Sequence, residues 1–141
     1  GLLRDQVKNE KISGVLYKVQ DRLFVIGAIL ACDPDKKGMK LPEFNEEDVH
    51  FLELEIDRME ANLQPLKNFI IPGGHPVVSS AHIARTVCRR AERSMVLLSE
   101  NSQVDVVLLE YVNRLSDYLF VLGRQLAKDL NVNEITWHAG A

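Results

Sequence analysis

The stretch "SSAHIARTVCRRAERS" at residues 79–94 concentrates positive charge in a protein that is acidic as a whole. It holds four of the nine arginines of a chain whose net charge is -3. On a helical wheel at about 100° per residue, one face of this stretch carries His82, Arg85, Arg89, Glu92 and Arg93, while Arg90 lies apart. Guanidinium groups spaced three and four residues apart direct planar forks toward one point, as a polyphosphate or a carboxylate requires. The alternative is a solvated or subunit-facing charged stripe, because surface arginines are common.

A second polar row follows in the apolar pattern of residues 108–126. It consists of Asn113, Asp117 and Arg124, with Phe120 among them. Asn and Asp are poor helix formers, so their presence within a helix suggests a function. The amide of Asn113 can bind a ligand, and the carboxylate of Asp117 can fix an arginine or hold a metal through water. An intramolecular pair between Asp117 and an arginine, locking neighbouring helices, explains the row equally well.

No other group of residues forms a convincing catalytic or metal site. Glu47-x-x-His50 matches half of a di-iron bundle motif, but both residues point away from the apolar seam and no second copy exists. The remaining histidines form no ligand set. Cys88 lies on the seam while His82 faces the arginines, which argues against a nucleophile pair. We therefore expect no metal-ligating side chains.

Apolar residues at alternating spacings of three and four predict four long helices after a short N-terminal stub. Asn45 is expected to cap one helix, Ser79 or Ser80 to open the next, and Ser102-x-x-Asp105 to form a capping box before the last, which ends at Asn131. Segments rich in proline and glycine predict loops, which cover residues 33–44 and 64–78, while residues 131–141 form a tail. No strand is predicted. The chain, residues 1–141, therefore reads as one all-α domain, an antiparallel helix bundle.

Composition restricts the possible classes of protein. Hydrophobic residues at 46% and charged residues at 26% are ordinary globular values, so a disordered chain is excluded. Cys32 and Cys88 have neither pairing nor metal spacing, which fits a reducing compartment, so we expect a cytoplasmic protein. The mild acidity argues against nucleic-acid binding and membrane-surface binding. No apolar run approaches the roughly 20 residues of a membrane helix.

The strings "FIIPGGHPVVSSAHIARTVCRRAERSMV" and "VNRLSDYLFVLGRQLA" closely resemble the PduO-type ATP:cob(I)alamin adenosyltransferases. The resemblance runs from Gly1 to about Leu130 and is densest over residues 69–124. It implies a ferritin-like bundle of five helices, with the first helix truncated here, and a homotrimer with active sites between subunits. The implied reaction moves the 5′-deoxyadenosyl group of ATP to the cobalt of reduced cobalamin, forming adenosylcobalamin and releasing triphosphate.

The resemblance also implies a role for individual residues. Arg89, Arg90, Glu92 and Arg93 match the ATP-binding "RRAER" motif, and Asn113 matches a nucleotide-contacting asparagine. Arg85 matches an arginine paired with an acid across the subunit interface. Phe69 and Asp117 match residues on the corrinoid side, and Arg89 and Asp117 are the expected catalytic residues. For Phe69, a ring that merely plugs the core is the alternative.

ATP and cobalamin are thus the expected substrates, and Mg²⁺ is expected on the phosphates. A cobalamin reductase or an adenosylcobalamin-dependent enzyme is an expected partner. Family members begin with a threonine-, lysine- and glycine-rich segment that wraps ATP, whereas this sequence opens at "GLLRD", just after that point. We expect a chain without that segment, which includes the acid for Arg85, to bind ATP poorly. Two other hypotheses compete: a non-catalytic helical module that binds phosphorylated partners or nucleic acid, and arginines that serve purely as trimer contacts.

Overall fold

The computed structural model describes residues 1–32 and 41–140, which form five helices and a two-stranded antiparallel ladder. The helices are α1 (Leu2–Gln6), α2 (Glu10–Ala31), α3 (Glu46–Glu60), α4 (Pro76–Ser99) and α5 (Val106–Asp129), and the strands are β1 (Ile70–Ile71) and β2 (Ile135–Thr136). The all-α prediction is confirmed for the fold as a whole, but the prediction that the chain has no strands was wrong. Residues 33–40 of the first predicted loop lie outside the described residues.

Helix α5 is the centre of the core. It packs against both α4 and α3, and its side chains are buried around most of its circumference. Tyr111, Tyr118 and Leu122 are at most 2% exposed. A helix that is apolar on several faces must lie inside a bundle, so α5 gives its neighbours a fixed frame.

The start of α3 agrees with the sequence pattern. The side chain of Asn45 accepts a hydrogen bond from the Glu47 amide at 3.0 Å, and the Asp48 carboxylate accepts one from the Asn45 amide at 3.1 Å. This is a reciprocal capping box. Arg22 of α2 reaches the same cap through the Glu43 carbonyl at 3.0 Å, so the cap also joins α2 to α3.

The start of α4 differs from the prediction at Ser79 or Ser80. The helix begins at Pro76, and its N-cap is His75, whose Nδ1 accepts a hydrogen bond from the Val77 amide at 3.1 Å. Proline suits the first helical position because its fixed φ is helical and it has no amide hydrogen to leave unpaired. Cys88, which the sequence places on the apolar seam, is buried, whereas Leu98 near the end of the helix is 41% exposed.

The prediction from the sequence was wrong for the beginning of α5 and correct for its end. Asp105 occupies the N-cap position without a side-chain hydrogen bond to the helix, so the predicted capping box with Ser102 is wrong. At the other end the predicted stop at Asn131 is confirmed, because this residue adopts a left-handed φ of 55° and the Val132 amide returns to the Ala127 carbonyl at 2.8 Å.

An apolar groove of about 640 Å³ lies between α2 and α4. Leu16 and Val19 of α2 face Ala84 and Val87 of α4 across it. Helix α4 therefore packs on α5 along one face and leaves apolar side chains along another. Among the helices of the described residues, none combines the length and apolar character that crossing a bilayer requires.

Candidate functional site

The arginines of α4 are presented to solvent on a rigid helix. Arg89, Arg90 and Arg93 are exposed, and within the described residues none of them forms an ion pair. Cys88 and Met95 on the opposite side of the helix are buried. The guanidinium groups are therefore held by a packed backbone while their charge remains available to an anion.

Glu92 and Asn113 join the two polar rows. The Nδ2 of Asn113 donates a hydrogen bond to Glu92 at 2.7 Å, and the Oδ1 of Asn113 accepts one from Arg114 at 2.6 Å. Arg114 in turn pairs with Asp117 at 3.1 Å. The Asp117–arginine pair foreseen as an alternative thus exists, but it lies within α5 and is partly exposed, so it does not lock neighbouring helices.

His82 is not part of the arginine face. Its side chain is buried, at 7% exposed, and its ring meets the edge of the Phe120 ring at a centroid distance of 6.2 Å. Burial, reinforced by the nearby charge of Arg85, lowers the pKa of His82 against a weaker opposing effect of Glu134. The helical wheel was wrong here because the beginning of α4 is covered on this side as well.

Arg85 lies with its guanidinium carbon 5.2 Å from the centroid of the Phe120 ring, a cation–π contact. In the part of the chain that the structure describes, Arg85 has no ion pair. The Arg85–Phe120 contact and the Glu92–Asn113 hydrogen bond are separated by seven residues on each helix. At 1.5 Å per residue, this separation is about 10 Å. Helices α4 and α5 are therefore antiparallel and in register, and Arg89 and Asp117 lie between the two contacts.

An open pocket of about 750 Å³, which we call the aromatic pocket, lies beyond Arg85. Phe69, Phe120 and Trp137 supply its aromatic surfaces, and Arg85 and Lys67 supply positive charge. The Phe69 side chain is 79% exposed, so the alternative of a core plug was wrong. Such a pocket suits a flat, largely apolar ligand that also carries polar groups.

Arg124 is the buried member of the α5 polar row. It is 8% exposed, and it donates hydrogen bonds to the Glu134 carboxylate at 2.8 Å and to the Gln64 carbonyl at 2.7 Å. Arg114 and Arg124 therefore both have acidic partners within this chain.

Other reactive groups stay apart from these surfaces. Burial raises the pKa of the Cys88 thiol to about 12, and the thiol donates a hydrogen bond to the Val112 carbonyl at 3.3 Å, so it is a poor nucleophile at neutral pH. Glu47 and His50 are exposed. Within the described residues, no three side chains of metal-binding type come together.

Sequence reasoning missed Trp137 and Glu134 as parts of the site. The Trp137 ring lies against Phe69 at a centroid distance of 6.4 Å, and its amide donates a hydrogen bond to the Phe69 carbonyl at 2.7 Å. No local pattern connects two segments so far apart in the chain. The lone tryptophan in a tail otherwise rich in polar residues was the one available signal.

Comparison with known proteins agrees with this geometry. The family model described as cobalamin adenosyltransferase matches residues 1–126. A corrinoid adenosyltransferase of Bacillus subtilis is 39% identical over 94% of this chain and 67% of its own length. The corrinoid adenosyltransferase PduO of Salmonella typhimurium is 42% identical over 78% of this chain, but over just 33% of its own length. The chain thus spans between a third and two thirds of these relatives.

Solved structures give the same result. A variant of the PduO-type ATP:corrinoid adenosyltransferase from Lactobacillus reuteri, complexed with cobalamin and ATP, superposes with a TM-score of 0.91 at 30% identity. The match covers 98% of this chain and 77% of that one. The resemblance seen in the two arginine- and asparagine-bearing motifs is confirmed, and the chain belongs to the cobalamin adenosyltransferase family.

Proposed function

We propose that this protein is an ATP:cob(I)alamin adenosyltransferase, which transfers the 5′-deoxyadenosyl group of ATP to the cobalt of reduced cobalamin and releases triphosphate. The observation that carries the proposal is the shared α4–α5 surface between two contacts, Glu92–Asn113 and Arg85–Phe120. Guanidinium groups that form no ion pair within the described residues lie along it, and the aromatic pocket lies beyond one end. A substrate with a polyphosphate and a second substrate with a large flat ring fit these two regions.

Arg89, Arg90 and Arg93 bind the triphosphate of ATP in this proposal. Triphosphate carries about four negative charges near neutrality, and forked donors in fixed positions stabilise the charge that grows on it as it leaves. Glu92 holds the amide of Asn113 by their 2.7 Å hydrogen bond, so that Asn113 presents a fixed polar group to the nucleoside. The catalytic contribution of Arg89 is support of the leaving group.

Phe69 and Asp117 act on the corrinoid side. Asp117 lies one turn before Phe120 on α5, so its carboxylate is on the side of the helix that leads to the aromatic pocket. Its partner Arg114 lies 3.1 Å away and orients the carboxylate. Phe69 offers an exposed ring to the face of the corrin, where it displaces the lower nitrogen ligand of cobalt.

The reaction needs no nucleophile from the protein. The electron pair of cobalt(I) forms the bond to the 5′-carbon of ATP, and the carbon–oxygen bond breaks with its electron pair leaving on triphosphate. The cobalt is formally oxidised by two electrons as it becomes the alkyl-bound product. The tasks left to the chain are to align the two substrates, bind the leaving group and exclude water.

Mg²⁺ accompanies ATP in this proposal and is held mainly by phosphate oxygens and water, since that ion keeps several waters and binds few protein ligands. We further propose a homotrimer with active sites between subunits, in the cytoplasm. Arg85, which has no acidic partner within the described residues, and the exposed apolar side chains Ile83 and Leu97 of α4 support contacts between subunits. The buried thiol of Cys88 fits a reducing compartment.

The test is to incubate the full-length protein with ATP, Mg²⁺ and cob(I)alamin, and to follow the visible spectrum of the adenosylated product together with the release of triphosphate. We expect both products in equal amounts. Tight binding of ATP or of phosphorylated ligands without either product would contradict the proposal and favour a non-catalytic binding module.

A further inference from the structure

We propose that Arg124 is a positioning residue, which holds Phe69 in the aromatic pocket by joining two segments of the chain. The first segment is residues 61–75, here called the Phe69 loop, and the second is β2 with the residues beside it. The inference rests on the proposed function, in which Phe69 contacts the corrinoid.

The buried position of Arg124 and its two hydrogen bonds suit such a link. It projects from α5, the most buried helix of the fold, and it is 8% exposed. One of its nitrogens reaches Gln64 in the Phe69 loop at 2.7 Å, and another reaches Glu134, just before β2, at 2.8 Å. A guanidinium group can serve both acceptors at once because its donors diverge in one plane.

The link continues from Glu134 to Phe69 through backbone pairing. Ile71 pairs with Ile135 and Ile70 with Thr136, and the Trp137 amide donates to the Phe69 carbonyl at 2.7 Å. Hydrogen bonds from the tail thus fix the backbone of Phe69. The earlier part of the Phe69 loop is fixed at Gln64, whose carbonyl accepts the hydrogen bond from Arg124. Of the α5 side chains, Arg124 is the one that bonds to both the loop and the tail within the described residues.

Phe69 needs this support because core packing does not provide it. Its ring is 79% exposed, and Trp137 is the one aromatic ring in contact with it within the described residues. A ring in such surroundings keeps its place mainly through the backbone that carries it. Loss of the Arg124 link is therefore expected to affect the corrinoid side of the site and to leave the arginines of α4 unchanged.

The experiment uses Arg124→Lys in the full chain. Lysine keeps the positive charge but has no planar fork to bridge both acceptors. We expect the KM for the corrinoid to rise by about tenfold, with the KM for ATP unchanged within about twofold. Trp137, the sole tryptophan, reports the same event without catalysis, because its fluorescence emission will shift to the red when the tail detaches.

The matched control is Lys128→Met, one turn further along α5. Lys128 donates to the Asn62 carbonyl, at the start of the Phe69 loop, but it does not bond to Glu134, so its loss leaves the Arg124 link between the loop and the tail in place. We expect its corrinoid KM and its tryptophan emission to match the wild type.

A folded Arg124→Lys with wild-type emission and wild-type corrinoid KM would overturn the proposal, and so would an equal rise of both KM values. If Arg124→Lys does not fold, Glu134→Ala removes the tail half of the link and the same two measurements decide. If the wild type transfers no adenosyl group, the proposed function fails, but the tether is still tested by emission and by cobalamin binding, measured as quenching of Trp137.

Discussion

Gly123 lies so close to His82 that a Cβ atom placed on this glycine would be 3.3 Å from the imidazole Nε2 and 3.6 Å from the Cβ of Ala81. The glycine lets α5 approach the beginning of α4 closely enough to enclose the imidazole. The same approach sets the position of the Arg85–Phe120 contact, one turn away on each helix.

Replacing Gly123 by a larger residue should therefore separate the two helices. We expect Gly123→Val to lower the free energy of unfolding by about 1–3 kcal/mol, because the added methyl groups must displace buried neighbours. Urea unfolding measures the change. The control is Gly14→Ala in α2, where a Cβ meets nothing within 4 Å, and a gain of about 0.5–1 kcal/mol is expected from helix propensity. Equal stability of Gly123→Val and wild type would contradict the close approach.

Stability should also depend on the protonation of His82. Burial and Arg85 lower the pKa of His82 in the folded state below the ordinary 6.5, so the unfolded chain binds the proton more readily. The resulting contribution is fully present above about pH 6.5 and is lost as pH falls through the interval below it. We expect the melting temperature to fall more between about pH 7.5 and about pH 5.5 in the wild type than in His82→Gln. Parallel pH profiles of the two proteins would count against this assignment.

Arg89 is the arginine whose change should matter most to catalysis. Arg89→Lys keeps the charge but loses the planar fork, so we expect kcat/KM to fall at least about tenfold, which is about 1.4 kcal/mol of transition-state stabilisation. Arg89→Ala should be worse, with an unchanged melting temperature because the side chain is exposed. Arg58→Ala, an exposed arginine of α3 paired with Glu55 at 3.1 Å, should leave kcat/KM unchanged. Normal efficiency in Arg89→Ala would rule out the triphosphate assignment.

Phe69→Ala should impair the use of the corrinoid without impairing the binding of ATP. The corrinoid step is expected to fail while the affinity for ATP changes little, and stability should change by no more than about 0.5 kcal/mol because the ring is exposed. Phe24→Ala is the control, since that ring is 83% exposed but lies on α2, outside the pocket. Equal loss of ATP binding and of the corrinoid step in Phe69→Ala would show that the ring has another role.

The proposed assembly gives a hydrodynamic prediction. We expect sedimentation of the full-length protein at micromolar concentration to show a trimer. Replacing Leu97 of α4, which is 63% exposed, by glutamate should weaken that trimer. A stable monomer that nevertheless transfers the adenosyl group at a normal rate would contradict active sites between subunits.

The helices were predictable from the sequence because each depends on contacts that repeat every three or four residues. The seam of α5 and the cap at Asn45 are local patterns, and the structure reproduces both. Pro76 is a local signal for the start of α4, but the prolines and glycines of residues 64–78 together predict a loop that continues to Val78.

The remaining parts of the site depend on contacts between distant segments. The β1–β2 ladder joins residues 64 and 66 positions apart in two-residue strands, and no periodicity marks strands so short. His82 was placed on the polar face because a helical wheel assumes a single buried side. The partners of Arg124, Gln64 and Glu134, lie on opposite sides of it in the sequence and meet through the fold alone.

The burial of Cys88 makes this thiol a natural reporter of core opening. Its raised pKa, about 12, leaves almost no thiolate at neutral pH, and its hydrogen bond to Val112 ties it to the interface between α4 and α5. A thiol-specific reagent can therefore modify it in the native protein mainly when these helices separate. The rate of that modification measures how often α4 and α5 separate transiently. A bound substrate that holds the two helices together will lower this rate.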